Sequence, residues 1–135
     1  MIKTKRLKNL KLLKQKKLNK ITREINTLYS EIKKSNGLKK KLEKIKNSSF
    51  TEEKYNNSMN IMHKYEFDRK ILEQIDICEN RVLFLKKELL RSKNKLGQII
   101  SQKKLIEEKL KFSFLEELRV KEEKLLSDTP TFRKS

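Results

Sequence analysis

The feature that most constrains the fold of this chain is a repeat in its second half, in which steps of four and three residues alternate without a break. Its members are Ile71, Ile75, Cys78, Val82, Leu85, Leu89, Ser92, Leu96, Ile99, Lys103, Ile106 and Leu110. This spacing keeps one stripe of an α-helix turned towards a partner helix, as in a coiled coil. Ser92 and Lys103 are polar members that weaken the stripe and favour one register. The sequence therefore predicts an all-α fold built on long helices.

A shorter repeat of the same kind precedes it. Its members are Leu18, Ile21, Ile25, Leu28 and Ile32. The tripeptide Ser35-Asn36-Gly37 then interrupts the pattern, which resumes out of phase at Leu38, Leu42 and Ile45. Because a glycine inside a helix costs roughly 1 kcal/mol relative to alanine, we expect a stutter or kink here. A true turn at Gly37 is the alternative.

The stronger turn signal is Asn47-Ser48-Ser49-Phe50. Ser49 and Glu52 have the spacing of a capping box, in which each side chain accepts a backbone N–H of the other residue. The sequence thus predicts a single antiparallel hairpin over residues 1–127. Its expected parts are a first helix of about 3–46, a turn at 47–50, a second helix of about 51–127 and a flexible tail at 128–135.

Two registers bring the apolar stripes together around this turn. The numbers of facing residues sum to about 96 in one and to about 103 in the other. The first places Glu73 opposite Arg23 and Asp76 opposite Lys20, whereas the second gives these acids no basic partner, so charge favours the sum of 96. In that register the second helix overhangs, and its stripe after Leu96 has no partner within the chain.

The amino-acid composition excludes several classes of functional site. The chain has 36 basic and 18 acidic residues, a net charge of +18, two glycines, one cysteine and one histidine. These numbers exclude a glycine-rich phosphate loop and a Cys/His zinc site within one chain, so we expect no cofactor, no metal and no enzyme activity. Of the basic residues 29 are lysines. A codon bias towards AT-rich sequence is therefore an alternative explanation for much of the charge.

The basic run of residues 3–23 allows three interpretations. It could bind nucleic acid through phosphates, lie on an anionic membrane, or dock on an acidic protein surface. No base-reading motif accompanies this run, which disfavours sequence-specific DNA binding. Its basic residues are spread around the helix, which disfavours binding to a membrane surface. No export signal or membrane span is visible, and a lone Cys78 fits a reducing compartment, so the expected location is cytoplasmic.

The pattern resembles the central-stalk proteins of type III secretion, FliJ of the flagellar export apparatus and its counterparts in virulence injectisomes. The likeness in architecture covers essentially the whole chain. Its sharpest stretches are residues 50–55, Phe-Thr-Glu-Glu-Lys-Tyr, and residues 69–75, Arg-Lys-Ile-Leu-Glu-Gln-Ile. They are similar to the acidic-Tyr opening of the family's second helix and to the basic-apolar run that follows it. The resemblance implies a long antiparallel coiled-coil hairpin.

It also implies a non-enzymatic role in protein transport, in the pore of a hexameric secretion ATPase and in contact with the export gate, at the cytoplasmic face of the inner membrane. The residues that would face the ATPase are Lys3, Lys5, Arg6, Lys8, Phe114, Leu118, Arg119, Lys121 and Lys124. Those that would form the export-gate tip are Leu42, Ile45, Tyr55, Met59 and Met62; for Tyr55, Met59 and Met62, simple packing beside the turn is the alternative. Secretion chaperones are further expected partners. Competing functions are a basic coiled-coil module for nucleic acid or a scaffold, and an export chaperone.

Overall fold

The computed structural model describes residues 2–51 and 58–128, and in both ranges the chain is helical. Helix α1 is Ile2–Thr51 and helix α2 is Ser58–Asp128. Both are rich in Lys and Leu, which are strong helix formers, and the chain's one proline lies after α2. The two helices pack against each other as a hairpin, which confirms the predicted all-α fold.

The predicted turn at residues 47–50 is wrong, because these residues belong to α1. The Ser48 hydroxyl donates to the carbonyl of Ile45 at 2.9 Å, a bond within the helix rather than a cap. A capping box is a local signal, and a helix continues through one when its neighbours favour helix. Glu52, its second member, lies outside the described residues, as do residues 129–135 of the predicted tail. Asp128 is the last residue of α2.

The contacts divide the chain into two compact units. The described residues of unit 1 are 2–22 and 95–128, and those of unit 2 are 23–51 and 58–94. Each unit thus contains one segment of α1 and one segment of α2.

In unit 2 the stripe of α1 that packs against α2 keeps alternate steps of three and four throughout. Its members, buried or half-buried, are Ile25, Leu28, Ile32, Ser35, Lys39, Leu42 and Lys46. The expected stutter at Ser35-Asn36-Gly37 is therefore wrong, because Ser35 continues the repeat and is buried. Leu38 and Ile45, the supposed members of a shifted repeat, are exposed. Gly37 lies inside α1 with an ordinary negative φ. Polar residues at repeat positions conceal the pattern from a search for apolar residues.

The stripe of α2 in unit 2 confirms the predicted repeat. Its buried members are Ile71, Ile75, Cys78, Val82, Leu85 and Leu89, and Ser92 follows half-buried. Cys78 is 5 % exposed and sits in this stripe as a small apolar residue.

Unit 1 continues the same spacing with more polar members. On α1 they are Thr4, Leu7, Lys11, Lys14, Leu18 and Ile21, and on α2 they are Leu96, Ile99, Lys103, Ile106, Leu110, Ser113 and Glu117. Thr4 and Ser113 are buried and share a hydrogen bond of 2.9 Å between their hydroxyls. The stripe of unit 1 is therefore closed at its end by hydroxyl groups rather than by apolar side chains.

Contacts between the helices fix a register that differs from both predicted ones. The residue numbers sum to 117 for Thr4 with Ser113 and to 118 for Lys11 with Glu107, both in unit 1. In unit 2 they sum to 118 for Lys39 with Glu79. A second ion pair of unit 2, Arg81 with Glu31 at 3.1 Å, gives 112. The predicted sums of 96 and 103 are therefore wrong.

The physical reason is the weight of apolar burial against surface charge. An exposed ion pair contributes about 0–1 kcal/mol, whereas each Leu or Ile taken from water into the stripe contributes on the order of 1 kcal/mol or more. The observed register brings every apolar repeat position of α2 from Ile71 to Leu110 opposite a repeat position of α1. The predicted overhang after Leu96 is wrong for the same reason: Leu96, Ile99, Ile106 and Leu110 are half-buried against α1 within unit 1. Residues 118–127, near the end of α2, form a stretch of this helix in which every residue is exposed and none packs into the stripe.

Candidate partner-binding surface

The first two turns of α1 form one side of the candidate surface. Residues 2–22 carry nine basic residues and no acidic one. Thr4 and Leu7 occupy the repeat positions that face α2, so the residues between them point to solvent. Lys3, Lys5, Arg6 and Lys8, all predicted to bind an ATPase, are accordingly exposed. This segment thus presents a basic surface without acidic residues, in which Leu12 and Leu13 are also exposed.

The other side of the surface is the last third of α2. Phe114 and Leu118 are 52 % and 43 % exposed, and Arg119, Lys121 and Lys124 follow on the exposed final turns. Arg119 pairs with Glu123 at 3.5 Å within the helix. All nine residues predicted for ATPase binding therefore belong to unit 1.

Two shallow grooves show how the two sides meet. One is lined by Lys8 and Lys11 of α1 with Glu107, Leu110, Lys111 and Phe114 of α2. The other is lined by Lys3 and Leu7 of α1 with Glu108, Lys109, Phe112 and Ser113 of α2. In both, lysines flank an aromatic ring over an apolar floor. Such a groove suits an apolar side chain that has a carboxylate beside it.

Two further apolar side chains are exposed in this part of α2, and neither is among the residues predicted to bind the ATPase. Phe112 is 70 % exposed and Leu115 is 56 % exposed. Both lie between repeat positions, so the repeat itself turns them outwards once the register is known. The spacing was present in the sequence, but the expected overhang assigned these residues to the same unpartnered stripe as Ile99, Ile106 and Leu110.

Hydrogen bonds and charges hold the base of this surface. The Thr4 hydroxyl donates to the Glu117 carboxylate, and this bond lowers the pKa of Glu117 below its usual 4.5. Glu107 accepts ion pairs from Lys11 at 3.7 Å and from Lys103 at 3.8 Å. Lys14 donates to Gln102 at 2.8 Å, and Lys103 donates to Gln15. The Glu107 carboxylate thus pairs with two lysines of the stripe, and the side-chain amides of Gln15 and Gln102 accept hydrogen bonds from Lys103 and Lys14.

The residues predicted for an export-gate tip are divided by the structure. Leu42 is a half-buried member of the unit 2 stripe, so it supports the core rather than a surface. Ile45, Met59 and Met62 are 44 %, 65 % and 66 % exposed. Tyr55 lies outside the described residues. Three neighbours that the prediction omitted, Ile61, Tyr65 and Phe67, are each at least half exposed.

Across the described ranges, no group of three His, Cys, Asp or Glu side chains could hold a metal ion. Neither α1 nor α2, as far as the structure describes them, has a stretch both long and apolar enough to cross a membrane. The chain matches no protein-family model, and neither curated proteins nor solved structures contain a significant match to it.

Proposed function

We propose that this chain is a non-enzymatic central stalk of a type III protein secretion system, which binds the hexameric secretion ATPase through unit 1 and contacts the export gate through the exposed residues near the start of α2. The observation that carries the proposal is the coincidence, in unit 1, of an acid-free basic face on α1 with exposed aromatic side chains on α2.

The basic face supplies long-range attraction. Nine positive charges on residues 2–22, with no acid on the same helix segment, create a field that guides a rod towards an acidic pore. Such steering raises the association rate and depends strongly on ionic strength. Added salt should therefore slow association more than it speeds dissociation.

The aromatic grooves supply short-range contact. Phe112, Phe114, Leu115 and Leu118 expose apolar area that a helix in water gains nothing by presenting. Loops with acidic and apolar residues would cover these side chains while pairing with Lys3, Lys8 and Lys111. A partner that bound phosphates alone would have no use for the exposed rings.

The test is a pull-down of the secretion ATPase from the same genome, together with its hydrolysis rate in the presence of the chain. The double substitution Phe114→Ser and Leu118→Ser should weaken binding about tenfold or more, because both side chains lie outside the packed stripe and are free to contact a partner. The charge reversal of Lys3, Lys5, Arg6 and Lys8 to Glu should chiefly lower the association rate. Leu38→Ser with Leu72→Ser is the matched control, since these unit 2 residues are 51 % and 43 % exposed.

A polyanion is the second candidate partner, favoured by the same acid-free basic face. Nucleic acid binding would survive the Phe114 and Leu118 substitutions and would fall steeply with salt. If the unaltered chain neither binds nor stimulates the ATPase, but shifts RNA or DNA at physiological salt, the stalk proposal is wrong and the polyanion takes its place.

A further inference from the structure

The outward face of α2 in unit 2 carries an apolar patch that neither the packed stripe nor the proposed function uses. Its members are Ile77, Leu83, Phe84 and Leu90, which are 56 %, 59 %, 60 % and 62 % exposed. The stripe residues between them, Val82, Leu85 and Leu89, are buried. This part of α2 therefore carries apolar side chains on its outward side as well as in the packed stripe, an excess of exposed apolar area that often marks an interaction surface.

The four residues lie on the two sides of the outward line of α2. At about 100° per residue, Asn80 and Lys87 point directly away from the packed stripe. Leu83 and Leu90 lie along one side of that line, and Ile77 and Phe84 lie along the other. Leu83 and Phe84 stand at the centre, so the patch extends about equally towards each end of the helix.

Charge on the same face divides at this centre. Glu73 and Asp76 precede the patch centre, with Arg69 one turn further out, and Lys87 and Arg91 follow it; all five are exposed. Glu73 and Arg91 have weak partners on their own helix, since Arg69 lies 3.7 Å from Glu73 and Glu88 lies 3.3 Å from Arg91. Exposed pairs of this kind contribute little and exchange readily with other partners.

We propose that a second copy of this chain covers the patch, with the two α2 helices antiparallel about a two-fold axis near Leu83 and Phe84. In this arrangement the acidic half of each face lies against the basic half of the other. A parallel arrangement would instead place acid on acid and base on base. An interface of this symmetry uses the same residues on both copies, which a patch centred on one point allows.

The surrounding charge is compatible with such a pair. Residues 58–94 of α2 carry eight basic and six acidic residues, so this segment has a net charge of only +2 in a chain of +18. At physiological salt, charges more than about 8 Å apart are largely screened. The α2 segment itself therefore adds little repulsion, since +5 of the +7 net charge of unit 2 lies on residues 23–51 of α1.

The test measures the self-association of the full chain by sedimentation at 0.15 M salt over a range of concentrations. The unaltered chain should form dimers, and Leu83→Glu with Phe84→Glu should lower the association constant about tenfold or more. Phe112→Glu with Leu115→Glu, in unit 1, is the matched control and should leave the dimer intact. Circular dichroism checks that each variant keeps its helix content.

Charge reversal tests the antiparallel arrangement. Lys87→Glu with Arg91→Glu lowers the net charge from +18 to +14, which by itself would favour association. We expect the opposite, a weaker dimer, because both halves of the face then become acidic. Adding Glu73→Lys and Asp76→Lys should restore it. A chain that stays monomeric, a dimer that tolerates the Leu83 and Phe84 substitutions, or a dimer that strengthens on Lys87 and Arg91 reversal would overturn the proposal. The ATPase pull-down does not depend on this surface, so the two proposals fail separately.

Discussion

Units 1 and 2 share one repeat but fill it differently. Unit 2 buries eight of its described residues: Ile25, Ser35, Ile71, Ile75, Cys78, Val82, Leu85 and Leu89. Unit 1 buries three, Thr4, Leu7 and Ser113, of which two are polar. The described residues of unit 1 carry a net charge of +10 and those of unit 2 of +7. Spacing alone therefore sets which residues face the partner helix, while the residue types set how strongly they hold it.

The difference separates stability from binding. Unit 2 has the apolar stripe that stabilises a hairpin, and unit 1 has the exposed rings and the basic face that a partner could use. A weakly held segment opens at lower free energy than a well-packed one, so it adapts to a partner at less cost. We therefore expect amide hydrogens in residues 71–89 to exchange more slowly than those in residues 99–113.

The largest expected effect is the removal of a buried leucine from unit 2. Leu85 is 5 % exposed, so Leu85→Ala should lower the free energy of unfolding by about 2–3 kcal/mol. Leu110→Ala in unit 1 removes a half-buried side chain and should cost about 1 kcal/mol. Urea unfolding followed by circular dichroism measures both. Equal losses at the two positions would contradict the contrast between the units.

A smaller effect should follow from making unit 1 resemble unit 2. Lys14 and Lys103 occupy facing repeat positions, and one nearby carboxylate, Glu107, lies 3.8 Å from Lys103. Replacing both lysines with leucine should raise the stability of unit 1 by about 1–2 kcal/mol, because apolar side chains then meet in place of like charges. Slower amide exchange in residues 99–113 would be the sign. Lys16→Leu, on the exposed face of the same helix, is the control and should change little.

The smallest effects concern pH, and they act on the two units in opposite ranges. The Thr4 hydroxyl lowers the pKa of Glu117 below 4.5, so this bond stabilises unit 1 fully above pH 4.5 and is lost as the pH falls through the lowered value. The hydrogen bond to Glu79 raises the pKa of Lys39 above 10.5, so that contact stabilises unit 2 below pH 10.5 and is lost as the pH rises further.

Melting curves test both directions. The difference in Tm between the unaltered chain and Thr4→Val should shrink in acid. The difference for Lys39→Met should persist through neutral pH and shrink only in strong alkali. A Thr4→Val difference that stays constant down to pH 2 would mean that packing, and not the carboxylate bond, carries the contribution of Thr4.

The sequence predicted the fold class and the stripe of α2 because periodic burial is a local property that a single helix displays. It could not predict the register. Thr4, Lys11, Lys14, Ser35 and Lys39 continue the stripe of α1 with polar side chains, so an apolar search started at Leu18 and found a false break at Gly37. Because the polar members of the α1 stripe were not recognised, the predicted register rested on the capping signal at Ser49 and on the charge pairs of Glu73 and Asp76. Burial of the apolar stripe residues favours a different register.

The exposure of the residues predicted for the ATPase depends less on the register than the packing of the stripes does. The exposure of Lys3, Lys5, Arg6 and Lys8 follows from their places between repeat positions, whatever residues face them. The same holds for Phe114 and Leu118. Leu42 was misassigned because its place in the stripe depends on Ser35 and Lys39, which do not look like core residues.

The unbroken alternation of three and four residues also sets the unit in which this hairpin can change its length. Within unit 2, removal of residues 32–38 from α1 together with the facing residues 79–85 from α2 deletes one heptad from each helix. Every remaining stripe residue keeps its neighbour, so the shortened chain should stay helical by circular dichroism. Removal of three residues from one helix turns its stripe away from the other and should melt the pairing. The length of such a hairpin can therefore change without loss of helix pairing only when one heptad is added to, or removed from, both helices together.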